Sequence, residues 1–373
     1  QPSIALAETL VQPSNYAALT GKKAMAVVPG NANRHGVAHG QGDDLSAANS
    51  ALNNCQAAWS TPCEIVWLNH EAVTSGASIR EQAGSAAHPL FLWQYTSPTA
   101  TVYLAGSIHL LKPSLYPLPR QLQDSFDAAD YLVLEVDSEA LNPLTIQQLT
   151  ARYGVLPGTQ TLVDVLPSGL YQRLSARLAN YGVDITRLAR FKPALVMTEL
   201  VRLRLAALGY VPEHGVEAYF RSRIQHQQVL QLETMELQLQ LLFDQPLSTQ
   251  LQLLADTLDQ EMLIEPLLAD LIVAWLGGND QAFLRLFQQQ SGDSAVAQAF
   301  NRQLLDERNV GMARKIQQYL GSSGTYFVLA GAAHFIGQNG IVELLNRNNI
   351  RGTRISSTTN LSTYRPTPAA PAR

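Results

Sequence analysis

Four short apolar runs in this chain stop abruptly at a residue that can hold a proton or a metal ion. Val102-Tyr103-Leu104-Ala105 runs through Gly106 to His109, and Phe327-Val328-Leu329-Ala330 runs through Gly331 to His334. Both copies read Leu-Ala-Gly-x-x-His. Tyr131-Leu132-Val133-Leu134 stops at Glu135, and Val229-Leu230-Gln231-Leu232 stops at Glu233. Runs of this length and residue type predict buried strands. A tight glycine turn after each LAG would carry its histidine past the strand's carboxyl end. In open α/β sheets that edge is where ligands sit. Parallel pairing of the four runs would therefore gather His109, Glu135, Glu233 and His334 along one edge. Imidazole with carboxylate and no thiolate suits zinc, manganese, iron or cobalt at a reactive site rather than a structural zinc.

Between these strands the pattern is mostly helical. Residues 90–95 and 101–105 read as a hairpin, and a helix over 119–129 buries Leu118, Leu122, Phe126 and Ala129. Period-3.6 spacing predicts helices over 170–181, 193–208, 214–226, 235–243, 249–254, 262–276 and 280–290. A long helix over 300–320 precedes the second LAG strand, and a helix over 340–348 follows it. Arg308 falls on the long helix's apolar stripe, between Leu305 and Met312. An inward arginine needs a carboxylate or an anion. It is read either as a structural ion pair or as a clamp on a substrate carboxylate or oxyanion. The fold class is α/β (α+β): a mixed or parallel sheet from two strand–GxxH–helix units, with a large helical insertion.

The first 88 residues differ, being rich in Ala, Asn, Gly and Ser. They read as a strand over 23–28, a glycine-rich stretch over 30–42, a helix over 45–58 capped by Asp44, and a strand over 64–68. Cys55 and Cys63 are the chain's two cysteines, and their closeness reads as a disulfide in an exported protein. His35 and His39, four apart in HGVAHG, would be ligands on a helix, but the glycines point to a loop. The expected organisation is a small disulfide-tied domain over 1–88, the α/β domain over 89–357, and a disordered Pro/Ala-rich tail over 358–373.

Composition narrows the partners. Net charge is −4 over 373 residues, which leaves no basic footprint for nucleic acid or an anionic membrane surface. No apolar run is long enough to span a bilayer. Charged residues make up 15%, below the ~25% usual for soluble domains, and glutamine replaces much of that polarity. The chain begins at Gln1. It is read as a mature, periplasmic or secreted form from which a signal peptide has been removed.

GSIH (106–109), YPLP (116–119), YLVLEVD (131–137), FKPALV (191–196) and GVEAYF (215–220) occur in that order. QLETMELQL (231–239), AWLGGND (274–280), ERNVGMARKI (307–316) and AGAAHFIGQNGIVELL (330–345) follow. In order and spacing this series resembles the TraB/GumN family, related to the Tiki metalloproteases. The resemblance covers about residues 90–355, and the GumN-like branch is the nearer one. It implies a site holding both GxxH histidines, acidic residues and an arginine, with a divalent ion such as manganese or cobalt. Transferred residue by residue, the set is His109, Glu135, Glu217, Arg308 and His334. Glu217 stands in GVE, where the GumN pattern usually has an aspartate, and Asn279 stands near a Gly-Asp pattern with one extra residue.

The expected function is a metal-dependent hydrolase acting on peptide bonds. His109, His334, Glu135 and Glu217 are the candidate ligands, Glu135, Glu217 and Arg308 the candidate catalytic groups, and Glu233 a further candidate. Two alternatives stand beside it: a non-catalytic protein that sequesters peptides, and a metal-independent esterase-like hydrolase.

Overall fold

A computed structural model describes residues 14–290 and 294–361. Near the N-terminus, β1 (Lys22–Val28), β2 (Asn31–Gln41), β3 (Glu64–Leu68) and β4 (Glu71–Ala72) form a sheet in the order β2-β1-β3-β4. The helix Asp44–Trp59 lies across it on Ala47, Ala48, Ala51 and Cys55, all fully buried. Such small side chains bring helix and sheet close together. Where they meet, a Cβ on Gly36 would run into the Cys55 backbone, so only glycine fits. This corrects the loop reading of HGVAHG: the segment is extended within β2, and His35 and His39 are exposed on it. The helix cap is Asp43, not Asp44; its Oδ1 accepts from the Ser46 amide at 2.7 Å. Cys55 and Cys63 are bridged, tying the helix's last turns to the start of β3.

The larger sheet contains β5 (Pro89–Thr96), β6 (Ala100–Ser107), β7 (Tyr131–Leu134), β8 (Gln228–Gln231), β9 (Gly324–Gly331) and β10 (Thr353–Ser356). Its order is β10-β5-β6-β9-β7-β8. β5 pairs antiparallel with both β6 and β10, whereas β6, β9, β7 and β8 are mutually parallel. Val102, Leu104, Leu132, Val133, Phe327 and Val328 are wholly buried, as expected for parallel strands covered on both faces. The two LAG copies sit side by side, one residue out of step: Gly106 faces Ala330, and Ser107 faces Gly331. Gly106 lies inside β6 and makes no turn, whereas Gly331 ends β9 and leads into the short turn Ala332–His334 with an ordinary φ of −51°.

Most of the expected helices form. Met235–Phe243 and Asp280–Gln290 occupy the predicted residues, whereas the stretch 214–226 contracts to Val216–Arg221. The long helix starts earlier, at Ala295, and passes through a π-helical segment, Gln303–Glu307, before Arg308–Leu320. Pro143–Gly154 is a helix that hydrophobic spacing passed over. Its start was written in Asn142-Pro143: the Asn142 side chain accepts from the Thr145 amide at 2.8 Å, and proline takes the first turn. Asn279 caps the helix Asp280–Gln290 by accepting from the Ala282 amide at 3.0 Å.

A single apolar core runs from the N-terminal sheet into the larger one. Polar contacts join the N-terminal part to the rest of the chain as well: Thr74 N to Glu265 (2.9 Å), Lys112 Nζ to the Thr74 carbonyl (2.6 Å) and Ser114 Oγ to Glu64 (2.7 Å). No helix among the described residues is long and apolar enough to cross a membrane. The expected tail falls mostly outside the described residues.

Candidate functional site

The four parallel strands deliver their terminal residues to one edge of the sheet. His109 follows β6, Glu135 follows β7, Glu233 lies two residues beyond β8, and a short turn, Ala332–His334, follows β9. The Glu233 amide donates to the Glu135 carbonyl at 2.8 Å, extending the β7–β8 pairing to the two acids. A methyl group on Gly331 would lie 3.3 Å from Glu135 Oε1, 3.4 Å from His109 Nε2 and 3.6 Å from His334 Cδ2. Three side chains thus face one point. Glycine keeps that point open.

Each imidazole is held through Nδ1. His334 Nδ1 is 2.7 Å from Asn309 Oδ1, and Asn309 Nδ2 donates to the Asn339 carbonyl at 2.8 Å. That second bond fixes the amide orientation, so Asn309 Oδ1 accepts and His334 carries its proton on Nδ1. His109 Nδ1 is 2.8 Å from Glu217 Oε1, the same oxygen to which the Ser107 hydroxyl donates. In both rings Nε2 is left for the cavity. Imidazoles oriented by a carboxylate or carbonyl on the opposite nitrogen are the usual arrangement around a metal ion.

The rings differ in their surroundings. The His334 side chain is 5% exposed, and burial lowers its pKa to about 4, so the ring is neutral at pH 7. The His109 side chain is 61% exposed at the cavity mouth, and the Glu217 carboxylate raises its pKa to about 9. Solvent at the open face screens part of that attraction. Glu217 shifts the opposite way: burial alone would raise its pKa, but the His109 charge and the hydrogen bonds from His109 and Ser107 bring it below the usual range.

Glu135 accepts from the Gly331 amide (2.6 Å) on one oxygen, and from Arg308 Nη2 (2.6 Å) and Gln238 Nε2 (3.3 Å) on the other. Burial opposes ionisation, but the histidines, Arg308 and the Gly331 amide outweigh it and lower the Glu135 pKa to about 2. Arg308 also donates from Nε and Nη2 to Glu233 Oε2 (2.8 and 2.7 Å) and from Nη1 to the Leu304 carbonyl (3.1 Å). Its donors are directed at two acids and a carbonyl. In this arrangement it acts as the ion pair of the sequence reading and offsets part of the site's negative charge. Thr234 caps the helix Met235–Phe243, which leaves Glu233 to Arg308.

These residues form one end of a cavity of about 440 Å³, lined by His109, Glu135, Arg308 and His334 together with a wall of leucine and phenylalanine. Glu217 stands behind His109 and Glu233 behind Arg308. Trp275, from AWLGGND, braces the floor by donating to the Gly106 carbonyl at 2.9 Å. The sequence reading missed Ser107, Gln238 and Asn309. Asn309 carried a signal, since it lies on the same apolar stripe as Leu305 and Met312. Gln238, one glutamine among many, carried none.

The donor types suit a divalent ion. Two ligands about 2.1 Å from a tetrahedral ion lie about 3.4 Å apart. His334 Nε2 and Glu135 Oε1 are 3.8 Å apart and need only a small approach. In the present arrangement, no group of three or more His, Cys, Asp or Glu side chains among the described residues stands ready to hold a metal ion. Binding an ion would draw the side chains inward and displace the proton from His109.

A mixed α/β sheet whose four parallel strands bring paired GxxH histidines and buried acids to their carboxyl edge defines the class of protein. The model of the TraB/PrgY/gumN family matches residues 91–354, and the chain belongs to that family. An uncharacterized protein of Treponema pallidum (strain Nichols) is 20% identical over 268 residues, covering 69% of this chain and 80% of that protein. No solved structure matches the chain significantly.

Proposed function

We propose that this site binds a divalent metal ion through His109, His334 and Glu135 and hydrolyses peptide bonds. The observation that carries the reading is the paired imidazoles, each held at Nδ1, by Glu217 or by Asn309, with Nε2 turned to the space that Gly331 keeps open beside Glu135. When bound, such an ion supplies an acidified water and a Lewis acid for a carbonyl. The chain's own residues supply the setting. Arg308 keeps Glu135 ionised and in place, and the apolar wall limits bulk water. In the reaction, water adds to the amide carbon, the C–N bond breaks and the amine leaves protonated. Manganese, cobalt and zinc all suit this mixed nitrogen and oxygen donor set. The Cys55–Cys63 bridge favours an oxidising, exported location.

A second reading, a protein that sequesters peptides without cleaving them, draws on one observation. Both Glu135 oxygens already have protein partners, the Gly331 amide on one and Arg308 on the other. Metal titration of purified protein, beside a peptide-library digest with and without chelator, separates the two. One tight ion per chain with chelator-sensitive cleavage supports the hydrolase. Peptide binding without ion or cleavage supports the sequestering protein.

A further inference from the structure

The cavity is two-sided. Its polar end comes from the sheet edge, and its wall comes from the helical insertion: Leu241 and Leu242 from the helix Met235–Phe243, Leu268 and Leu271 from Ile264–Leu276, and Phe283 and Phe287 from Asp280–Gln290. The π-helical segment adds Leu304 and Leu305. Leu241, Leu242, Phe287, Leu304 and Leu305 are only half-buried, which leaves apolar surface facing the cavity. The space of about 440 Å³ has room for about fifteen waters at roughly 30 Å³ each. Against leucine and phenylalanine, those waters lack hydrogen-bonding partners. An apolar group entering would release them, whereas a polar one would give up its hydration with nothing in return from the wall.

We infer that this wall is a specificity subsite for one large apolar side chain, leucine- or phenylalanine-sized, next to the bond presented to the histidine pair. The inference rests on the peptide-hydrolase reading for the nature of its ligand. The geometry supplies the rest. A chain whose carbonyl lies beside His109, His334 and Glu135 has the leucine wall within the same cavity, so the adjoining side chain is the group that can fill it. A charged side chain has no partner along that wall, because the cavity's acids and its arginine all sit at the sheet-edge end. Half-buried Leu241 and Leu304 are the positions where the wall can be altered with least disturbance to the core.

Two measurements test the inference. In the first, capped single-residue probes (the N-acetyl amides of leucine, phenylalanine, alanine and aspartate) are titrated into the full chain and followed by saturation-transfer NMR. The leucine and phenylalanine probes are expected to bind at least about tenfold more tightly than the other two. Leu241→Asp and Leu304→Asp should each abolish that difference while melting as the parent does. Equal binding of the alanine probe, or a preference unchanged in both variants, overturns the subsite. In the second, metal-loaded protein digests an unbiased peptide library. Cuts beside leucine, phenylalanine and methionine, lost in Leu241→Asp, support the subsite. Cleavage without side-chain preference overturns it while leaving the hydrolase reading intact. Probe binding with no cleavage keeps the subsite and removes the hydrolase reading instead.

Discussion

His334 Nδ1 lies 2.7 Å from Asn309 Oδ1, and the Asn309 amide nitrogen is fixed in turn on the Asn339 carbonyl. The pair spans the junction between the helix Arg308–Leu320 and the turn after β9, and it decides which His334 nitrogen faces the cavity. Asn309→Ala removes that choice without removing a candidate ligand. Metal affinity is expected to fall about 10–100-fold. Isothermal titration with manganese or zinc checks it, and unchanged affinity would show that the orientation of His334 is set elsewhere.

Arg308 gives the second prediction. Arg308→Leu strands Glu135 and Glu233 in a site where the side chains are 11% and 5% exposed. Breaking a buried pair on one side costs about 3–5 kcal/mol at neutral pH. The loss should shrink in acid, where the stranded carboxyls take up protons. Arg308→Lys keeps the charge but not the fork, so it should fold better than the leucine variant yet hold Glu135 less firmly. Urea titrations at pH 7 and pH 4 measure both variants. A leucine variant as stable as the parent at pH 7 would contradict the counter-charge role.

The histidines should titrate on opposite sides of neutrality in ion-free protein. His109, raised from 6.5 to about 9 by Glu217, contributes stability that is present below pH 6.5 and lost as pH climbs through about 9. His334, lowered from 6.5 to about 4 by burial, behaves oppositely: its contribution is present above pH 6.5 and lost as pH falls through about 4. Ring-proton NMR reads both. Glu217→Gln should bring the His109 titration back toward neutrality and leave that of His334 in place. Two rings titrating together near pH 6.5 would contradict the asymmetry.

Gly331→Ala separates site from fold. With φ −51° and ψ 134° the backbone accepts alanine, so stability should stay within about 1 kcal/mol of the parent. The new methyl would stand 3.3 Å from Glu135 Oε1 and 3.4 Å from His109 Nε2, in the space where an ion would sit. Metal uptake is expected to fall at least tenfold, measured by elemental analysis after dialysis. Full uptake would place the ion elsewhere.

The repeated LAGxxH and the two runs ending in acids were legible because buried parallel strands leave continuous apolar stretches, and their ends stand out against them. The convergence of His109, Glu135, Glu233 and His334 followed from that. The partner choices did not. Glu217 and Glu135 are both acids in recognisable motifs, yet one turns to His109 Nδ1 and the other to Arg308, and only the packing of Val216–Arg221 against the β6 end decides it. The short GVE helix was read as twice its length because apolar spacing continues past the point where Arg221 turns away to pair with Asp137. The glycines of LAG were both read as turn formers, yet only Gly331 leads into a turn, and at both positions the packing also uses the missing side chain.

The order β6-β9-β7 also bears on how the molecule comes into being. The strand at the centre, Gly324–Gly331, is the last of the three to leave the ribosome, after nearly two hundred residues of intervening chain. Until it arrives, β6 and β7 each present an unpaired edge, and neither can pair with the other across the gap meant for β9. Non-local parallel pairing of this kind is slow and exposes sticky strand edges while it waits. A chain truncated before residue 324 would therefore not yield a weaker form of the site. It would yield two half-sheets with open edges, prone to joining those of other copies.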